Sequence, residues 1–232
     1  MTADAATLES TALRAGAELE GATPQEILTW ALGEFHPKLC IASSMGDAVL
    51  IDMAAKIVPD VPVVFLDTGY HFAETIGTRD AVATVYPGVQ LLTITPVRTV
   101  SEQDAEHGAR LYERDPDLCC AMRKVEPLAR ALSPYVAWAS GIRRDEAETR
   151  AEIKVVDWDA KRSMVKVNPL AAWTHDDVER YIADFGVLVN PLLYDGYPSV
   201  GCAPCTRRVA DGEDPRSGRW AGTGKTECGL HV

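Results

Sequence analysis

Five of the six cysteines in this 232-residue chain lie in polar sequence, and their spacing suits sulfur ligands and a nucleophile. Cys119 and Cys120 form a tandem pair just ahead of a helical pattern, and Cys202-Ala-Pro-Cys205 is a C-x-x-C. Four thiolates in two pairs suggest a four-sulfur metal site, and zinc and iron–sulfur clusters both accept such ligands. Adjacent side chains point in divergent directions, which suits two irons of a cluster better than two corners around one zinc ion. Redox pairing of the C-x-x-C is the remaining option. Cys40, in the apolar run KLCIAS, reads instead as a small core residue.

Cys228 stands apart, in Glu227-Cys228-Gly229-Leu230-His231, behind the polar, Gly-rich stretch RSGRWAGTGKTE. A segment of that composition is expected to be mobile. Fully extended, the chain from Cys205 to Cys228 reaches roughly 75 Å. A compact chain of this length has a radius of gyration of about 17 Å. The tail can therefore bring Cys228 to a site and withdraw it. Lys225 and His231 are close enough in sequence to favour its thiolate.

Three further stretches suit an anionic nucleotide. Ser43-Ser44-Met45-Gly46-Asp47 offers small hydroxyl residues and a glycine at a helix start, without the Gly-Lys-Ser/Thr of a Walker loop. Leu66-Asp67-Thr68-Gly69-Tyr70 offers Asp67 and backbone to a ribose or base. Ser140-Gly141-Ile142-Arg143-Arg144-Asp145-Glu146 brings arginines, whose forked donors fit phosphate or sulfate oxygens.

These stretches need a scaffold that gathers them. Residues 7–20 and the segment opened by the capping box Thr23-Pro24-Gln25-Glu26 read as helices. Strand patterns at 38–43, 62–67, 89–95 and 135–140 then alternate with helical ones at 47–57, 71–85 and 121–132. This is an α/β order, implying a mainly parallel sheet flanked by helices, with ligands beyond the carboxyl ends of the strands. We expect one α/β nucleotide-binding and cluster unit over 1–205 and a flexible segment over 206–232 carrying the catalytic cysteine.

Charge sharpens this expectation. The formal net charge is −11, which argues against a binder of nucleic acid through bulk charge. Of the stretches compared, only 119–150 and 201–232 are net positive, and they hold the paired cysteines and most of the candidate arginines. A basic pocket on an acidic body is expected. The opening MTADAATLES lacks the apolar core of a secretory leader, and no run approaches a membrane span. A reduced, cytoplasmic protein is expected.

The motifs together resemble those of the thioredoxin-dependent assimilatory adenylyl-sulfate (APS) reductases, within the APS/PAPS reductase family. Cys119-Cys120-Ala-Met-Arg123-Lys124-Val-Glu126-Pro127-Leu is similar to their CC-x-x-R-K-x-E-P-L segment. Gly201-Cys202-Ala-Pro-Cys205-Thr206-Arg207 and Glu227-Cys228-Gly229-Leu230-His231 resemble the other two hallmarks, and Leu66-Asp67-Thr68-Gly69 and Gly141-Ile-Arg143-Arg144-Asp145 also fit.

The resemblance implies a PP-loop type, adenine nucleotide alpha hydrolase-like fold and reduction of adenosine 5′-phosphosulfate to sulfite and AMP in sulfate assimilation. It implies a 4Fe–4S cluster on Cys119, Cys120, Cys202 and Cys205. Cys228 would be the nucleophile, with Lys124 between cluster and substrate and His231 beside the thiol. Arg143 or Arg144, with Arg207, Arg216 and Arg219, would bind the phosphosulfate. Ser43, Ser44 and Gly46 would lie near the nucleotide, Leu66 and Asp67 near the adenosine, and Gly141 in the substrate loop. Thioredoxin or a similar dithiol would be the partner, and a homo-oligomer is left open. Relatives acting on the 3′-phosphorylated nucleotide usually lack the four cluster cysteines, so the unphosphorylated substrate is favoured. A reductase of that relative's kind, an ATP-dependent thiolation enzyme and a metal-holding sensor are the competing readings.

Overall fold

The computed structural model describes residues 4–230. The apolar runs expected as strands form the parallel part of one sheet. β1 (Leu39–Ser43) pairs with β2 (Pro62–Leu66) on one side and β4 (Ala137–Ser140) on the other, and β3 (Gln90–Ile94) pairs with β2. Two further strands, which the sequence patterns did not single out, complete the sheet. β6 (Met164–Val167) is parallel to β4, and β5 (Val156–Asp159) is antiparallel to β6. Both are four residues long and interleave charged side chains, so neither makes a conspicuous apolar run. The order β3-β2-β1-β4-β6-β5 puts consecutive crossovers on opposite sides of β1. That reversal opens a crevice at the carboxyl ends of β1 and β4, where ligands of open α/β sheets bind.

The strands' period of two divides the core between the faces. Leu39, Ile41, Val63, Phe65, Ala137, Ala139, Val165 and Val167 pack into one cluster with the helices α1 (Ala5–Glu18), α2 (Pro24–Phe35) and α3 (Val49–Ile57). Cys40, Val64, Trp138 and Met164 face the other way, against Leu128 and Leu132 of α8 (Glu126–Leu132). Cys40 is therefore the core residue expected, and burial pushes its thiol up to about 12. The helix α1 carries no motif, but it has a structural task over β5. A Cβ on Gly16 would lie 2.3 Å from the Val156 carbonyl oxygen, so only glycine permits this approach.

The capping box at Thr23 forms as expected, with the Thr23 amide donating to Glu26 Oε2 at 2.8 Å. The helix α4 (Ala73–Val85) follows β2, and α5 (Val100–His107), α6 (Leu111–Arg114) and α7 (Pro116–Cys120) follow β3. The helix expected over 121–132 is not uniform: Ala121–Val125 is π-helical before α8 begins. A last helix, α9 (His175–Phe185), starts at a Thr174–Asp177 capping box. Beyond Thr206 the described residues hold neither helix nor strand, only turns and an isolated bridge between Thr206 and Arg219.

Candidate active site

The crevice is floored by three strand ends, each fixed by local hydrogen bonds. After β1, Ser43 Oγ accepts from the Met45 amide at 3.2 Å, and Met45 turns through a positive φ of 58°. Buried Asn190 pins this turn, donating from its amide to Gly46 O at 2.8 Å and from Nδ2 to Met45 O at 3.1 Å. Ser44 is exposed in the turn. After β2, the Asp67 amide donates to Ile94 O at 2.8 Å, and Asp67 Oδ1 accepts from the Gly69 amide at 3.0 Å. Gly69 sits at φ +74°, the left-handed region. After β4, Ser140 donates to Asn168 Oδ1 at 3.0 Å and Gly141 opens the arginine loop.

The two cysteine pairs reach the site from distant sequence, and both attach to the loop after β2. Cys119 and Cys120 end α7, whose start is capped by Asp115 Oδ1 accepting from the Leu118 amide at 2.9 Å. The π-helical turn that follows is wider than an α turn, a device frequent at functional sites. Its Arg123 is buried and donates to Thr68 O at 2.6 Å, Gln103 Oε1 at 3.1 Å and Arg98 O at 3.2 Å. Cys202 precedes and Cys205 ends a single 3-10 turn. The Ala203 amide donates to Tyr70 O at 2.7 Å, and Cys202 Sγ lies 3.3 Å from Thr68 Oγ1.

All four cysteines thereby line one cleft with Tyr70, Lys124 and Trp220, and all are free thiols. Burial and the facing Cys120, Cys202 and Cys205 push the Cys119 thiol up to about 12; burial and Cys202 push Cys205 up to about 11. Cys119, Cys120 and Cys205 thus resist ionising together unless a cation shares the cleft. Among the described residues, no three His, Cys, Asp or Glu side chains are gathered so as to hold a metal ion.

Cationic side chains surround the same cleft. Burial alone would lower the Lys124 pKa, but Cys202, Cys228 and Cys120 outweigh it and hold the ammonium above the ordinary lysine value. Arg219 donates to Val200 O at 3.2 Å, stacks on Trp220 at 4.5 Å and lies across Gly201. A Cβ on Gly201 would meet the guanidinium at 2.3 Å, so the glycine makes room for it. The buried Arg219 Nε has no hydrogen-bond partner among the described residues, leaving a donor for an anion. Arg216 donates to Thr226 O at 3.0 Å and pairs with Glu227 at 3.2 Å. Cys228 is half-buried and feels the charges of Lys124, Arg219 and Cys120. His231 lies outside the described residues.

The other expected arginines divide. Arg143 is paired with Asp145 at 2.9 Å and Glu146 at 3.6 Å and lies near Asp47. Arg144 turns away, donating to Ile153 O at 2.8 Å and pairing with Glu20 behind α1. Arg207 is exposed, held by Glu213 at 3.0 Å. Three cations were not singled out in the sequence. Arg150, in the loop after β4, binds Glu227 through two nitrogens at 2.9 Å each. Arg162 donates to Leu230 O at 3.1 Å. Lys166 lies over Trp138, with burial pulling its pKa down to about 8. Arg150 follows Arg143 in the same basic loop, a signal that was readable; Arg162 and Lys166 belong to the β5–β6 hairpin, which was not.

Comparison with known proteins identifies the family and the fold. Residues 38–208 match the family described as the phosphoadenosine phosphosulfate reductase domain. The adenosine 5′-phosphosulfate reductase of Streptomyces coelicolor is 61% identical over 224 residues, covering 97% of this chain and 94% of that protein. The enzyme of the same name from Mycolicibacterium smegmatis is 57% identical, covering 97% and 95%. A crystal structure of phosphoadenylyl-sulfate reductase from Candida auris, a phosphate complex, superposes with a TM-score of 0.73 at 29% identity, covering 90% of this chain and 99% of that one. Candida glabrata FMN adenylyltransferase shares the fold alone, at a TM-score of 0.58 and 15% identity, covering 90% and 69%. With a family match over residues 38–208 and relatives more than half identical along nearly the whole chain, the chain belongs to the phosphoadenosine phosphosulfate reductase family.

Proposed function

We propose that the protein reduces adenosine 5′-phosphosulfate to sulfite and AMP in sulfate assimilation, with Cys228 as nucleophile. The observation that carries this is the placement of the Cys228 thiol within the field of Lys124 and Arg219, at the edge of the four-thiol cleft. The nucleotide lies beyond the ends of β1, β2 and β4, with Ser43, Ser44 and Gly46 toward its phosphate, Leu66 and Asp67 toward the adenosine, and Gly141 and Arg143 across the crevice. Lys124, Arg216 and Arg219 hold the phosphosulfate. The Cys228 thiolate attacks the sulfuryl sulfur, the S–O bond to phosphate breaks, and AMP leaves with its charge held by these cations. Cys228 then carries an S-sulfo group. One thiol of an external dithiol such as thioredoxin attacks the Cys228 sulfur and releases sulfite; the second thiol resolves the mixed disulfide, supplying two electrons in all.

The cysteine set fits a 4Fe–4S cluster: four free sulfur donors line one cleft, and the side chains of the adjacent Cys119 and Cys120 suit two different irons. Cys119, Cys120, Cys202 and Cys205 would hold it, and when bound it supplies local charge and structural order. Anaerobically purified protein is expected to carry about four irons and four acid-labile sulfides per chain; zinc without sulfide would overturn the assignment. The free thiols suit a reducing compartment, and we place the enzyme in the cytoplasm. No helix among the described residues is long and apolar enough to cross a membrane.

The test is to incubate the protein with adenosine 5′-phosphosulfate and no reductant. Intact-mass and peptide analysis should find an S-sulfonate on Cys228, and kcat/KM should exceed that for the 3′-phosphorylated nucleotide by at least about tenfold. Protein that turns over without ever carrying the adduct would sink the mechanism. A preference for the 3′-phosphorylated nucleotide would reassign the substrate.

A further inference from the structure

The tail that carries Cys228 is held against the body by attachments of very unequal quality. Lys225 pairs with Asp117, whose side chain is 83% exposed, and such a surface pair holds little. Glu227 is different. Its Oε1 accepts from Arg150 Nε at 2.9 Å and Thr149 Oγ1 at 3.3 Å; its Oε2 accepts from Arg150 Nη2 at 2.9 Å and pairs with Arg216 at 3.2 Å. The Arg150 and Glu227 side chains are only 10% and 13% exposed. The geometry is the forked arginine–carboxylate kind, the strongest of protein ion pairs.

On the far side of Cys228, Gly229 turns the chain at φ +78°, and Leu230 packs on the cluster formed by Trp138, Met164 and their neighbours. The thiol is thus suspended between a charged anchor one residue before it and an apolar anchor two residues after. One residue of chain spans about 3.5 Å, so fixing Glu227 fixes Cys228 to within that distance.

We infer that Glu227 is a positioning residue, a hook on Arg150 and Arg216 that holds Cys228 at the phosphosulfate pocket during attack and plays no part in the later step, when the dithiol attacks the Cys228 sulfur and sulfite leaves. The inference rests on the reading of Cys228 as nucleophile. Glu227 is not a catalytic residue, because its own four contacts are to arginine and threonine side chains and none is to a reacting atom; through Arg216 it touches the phosphosulfate site only at second hand.

The experiment separates the two halves of the reaction in wild type and Glu227→Gln. Intact mass follows S-sulfonate formation in excess adenosine 5′-phosphosulfate; sulfite release by thioredoxin is then followed from enzyme already carrying the adduct. Formation should slow by on the order of 10²-fold at saturating nucleotide, the loss that an ångström of misplacement produces. The slowing should persist at saturating nucleotide whatever the freed Arg216 does to the half-saturating concentration, and the release rate should stay within about twofold of wild type. Formation at the wild-type rate overturns the hook. So does equal slowing of both halves, the mark of a generally weakened fold. If wild type forms no adduct at all, the functional reading fails instead. The hook is then read from iodoacetamide labelling of Cys228 without nucleotide, followed on its peptide. Labelling should quicken by roughly tenfold in Glu227→Gln as the tail opens more often; unchanged labelling overturns the hook.

Discussion

Cys228→Ser should stop sulfite release while leaving the protein folded, loaded with iron and sulfide, and able to bind AMP. The expected loss is roughly 10⁴-fold or more in kcat, about 5.5 kcal/mol of barrier. The reason is chemical. A serine hydroxyl is a weak acid and a hard nucleophile, whereas thiolate sulfur is soft and attacks sulfur readily. Cys228 is not among the residues that line the four-thiol cleft, so its replacement should leave the proposed ligands in place. The measurement is sulfite production with thioredoxin beside an iron and sulfide assay on the same sample. Turnover within tenfold of wild type would exclude Cys228 as the covalent carrier. Loss of iron together with turnover would instead make it a ligand.

Lys124→Met should lower kcat by about 10²–10³-fold, the range seen when one preorganised donor to developing charge is removed. Methionine keeps the side chain's length and removes its charge. Lys124 stands amid Cys120, Cys202, Cys228 and Arg219, and these thiols together hold its ammonium charged despite burial. In the proposed reaction it would balance both the attacking thiolate and the departing phosphate. Rates at saturating nucleotide read the effect, with iron content as the control. A change confined to KM would make Lys124 a substrate anchor with no share in the barrier.

How much of this was legible in the sequence differs by element. The four parallel strands and the β2 and β4 loops were readable because continuous apolar runs, punctuated by Asp-Thr-Gly and Ser-Gly, signal buried strands and their ends. β5 and β6 were not, because Asp157, Asp159 and Lys166 interrupt them and their pairing depends on α1 packing above. With that hairpin went Arg162 and Lys166. The cysteines were readable as a set, since spacing survives folding. The commitments of single arginines were not: Arg143 and Arg144 are neighbours in sequence, yet one lies near Asp47 and the other pairs with Glu20, a choice set by the loop and 3-10 turn beyond β4. Glu227 was visible only as a letter in a motif. Its partner Arg150 lies far away in sequence, and the contact exists only once the tail is laid across the loop after β4.

The loop after β2 has a consequence of a different kind. Thr68 and Tyr70 carry the attachments of both cysteine segments, through Arg123 on one side and Ala203 and Cys202 on the other. The same few residues, through Leu66 and Asp67, border the proposed nucleotide pocket. Two occupants that lean on one strut are thermodynamically linked: whatever one contributes to ordering the strut, the other need not supply. By reciprocity, nucleotide should strengthen the retention of the inorganic group by the same factor that the group strengthens nucleotide binding.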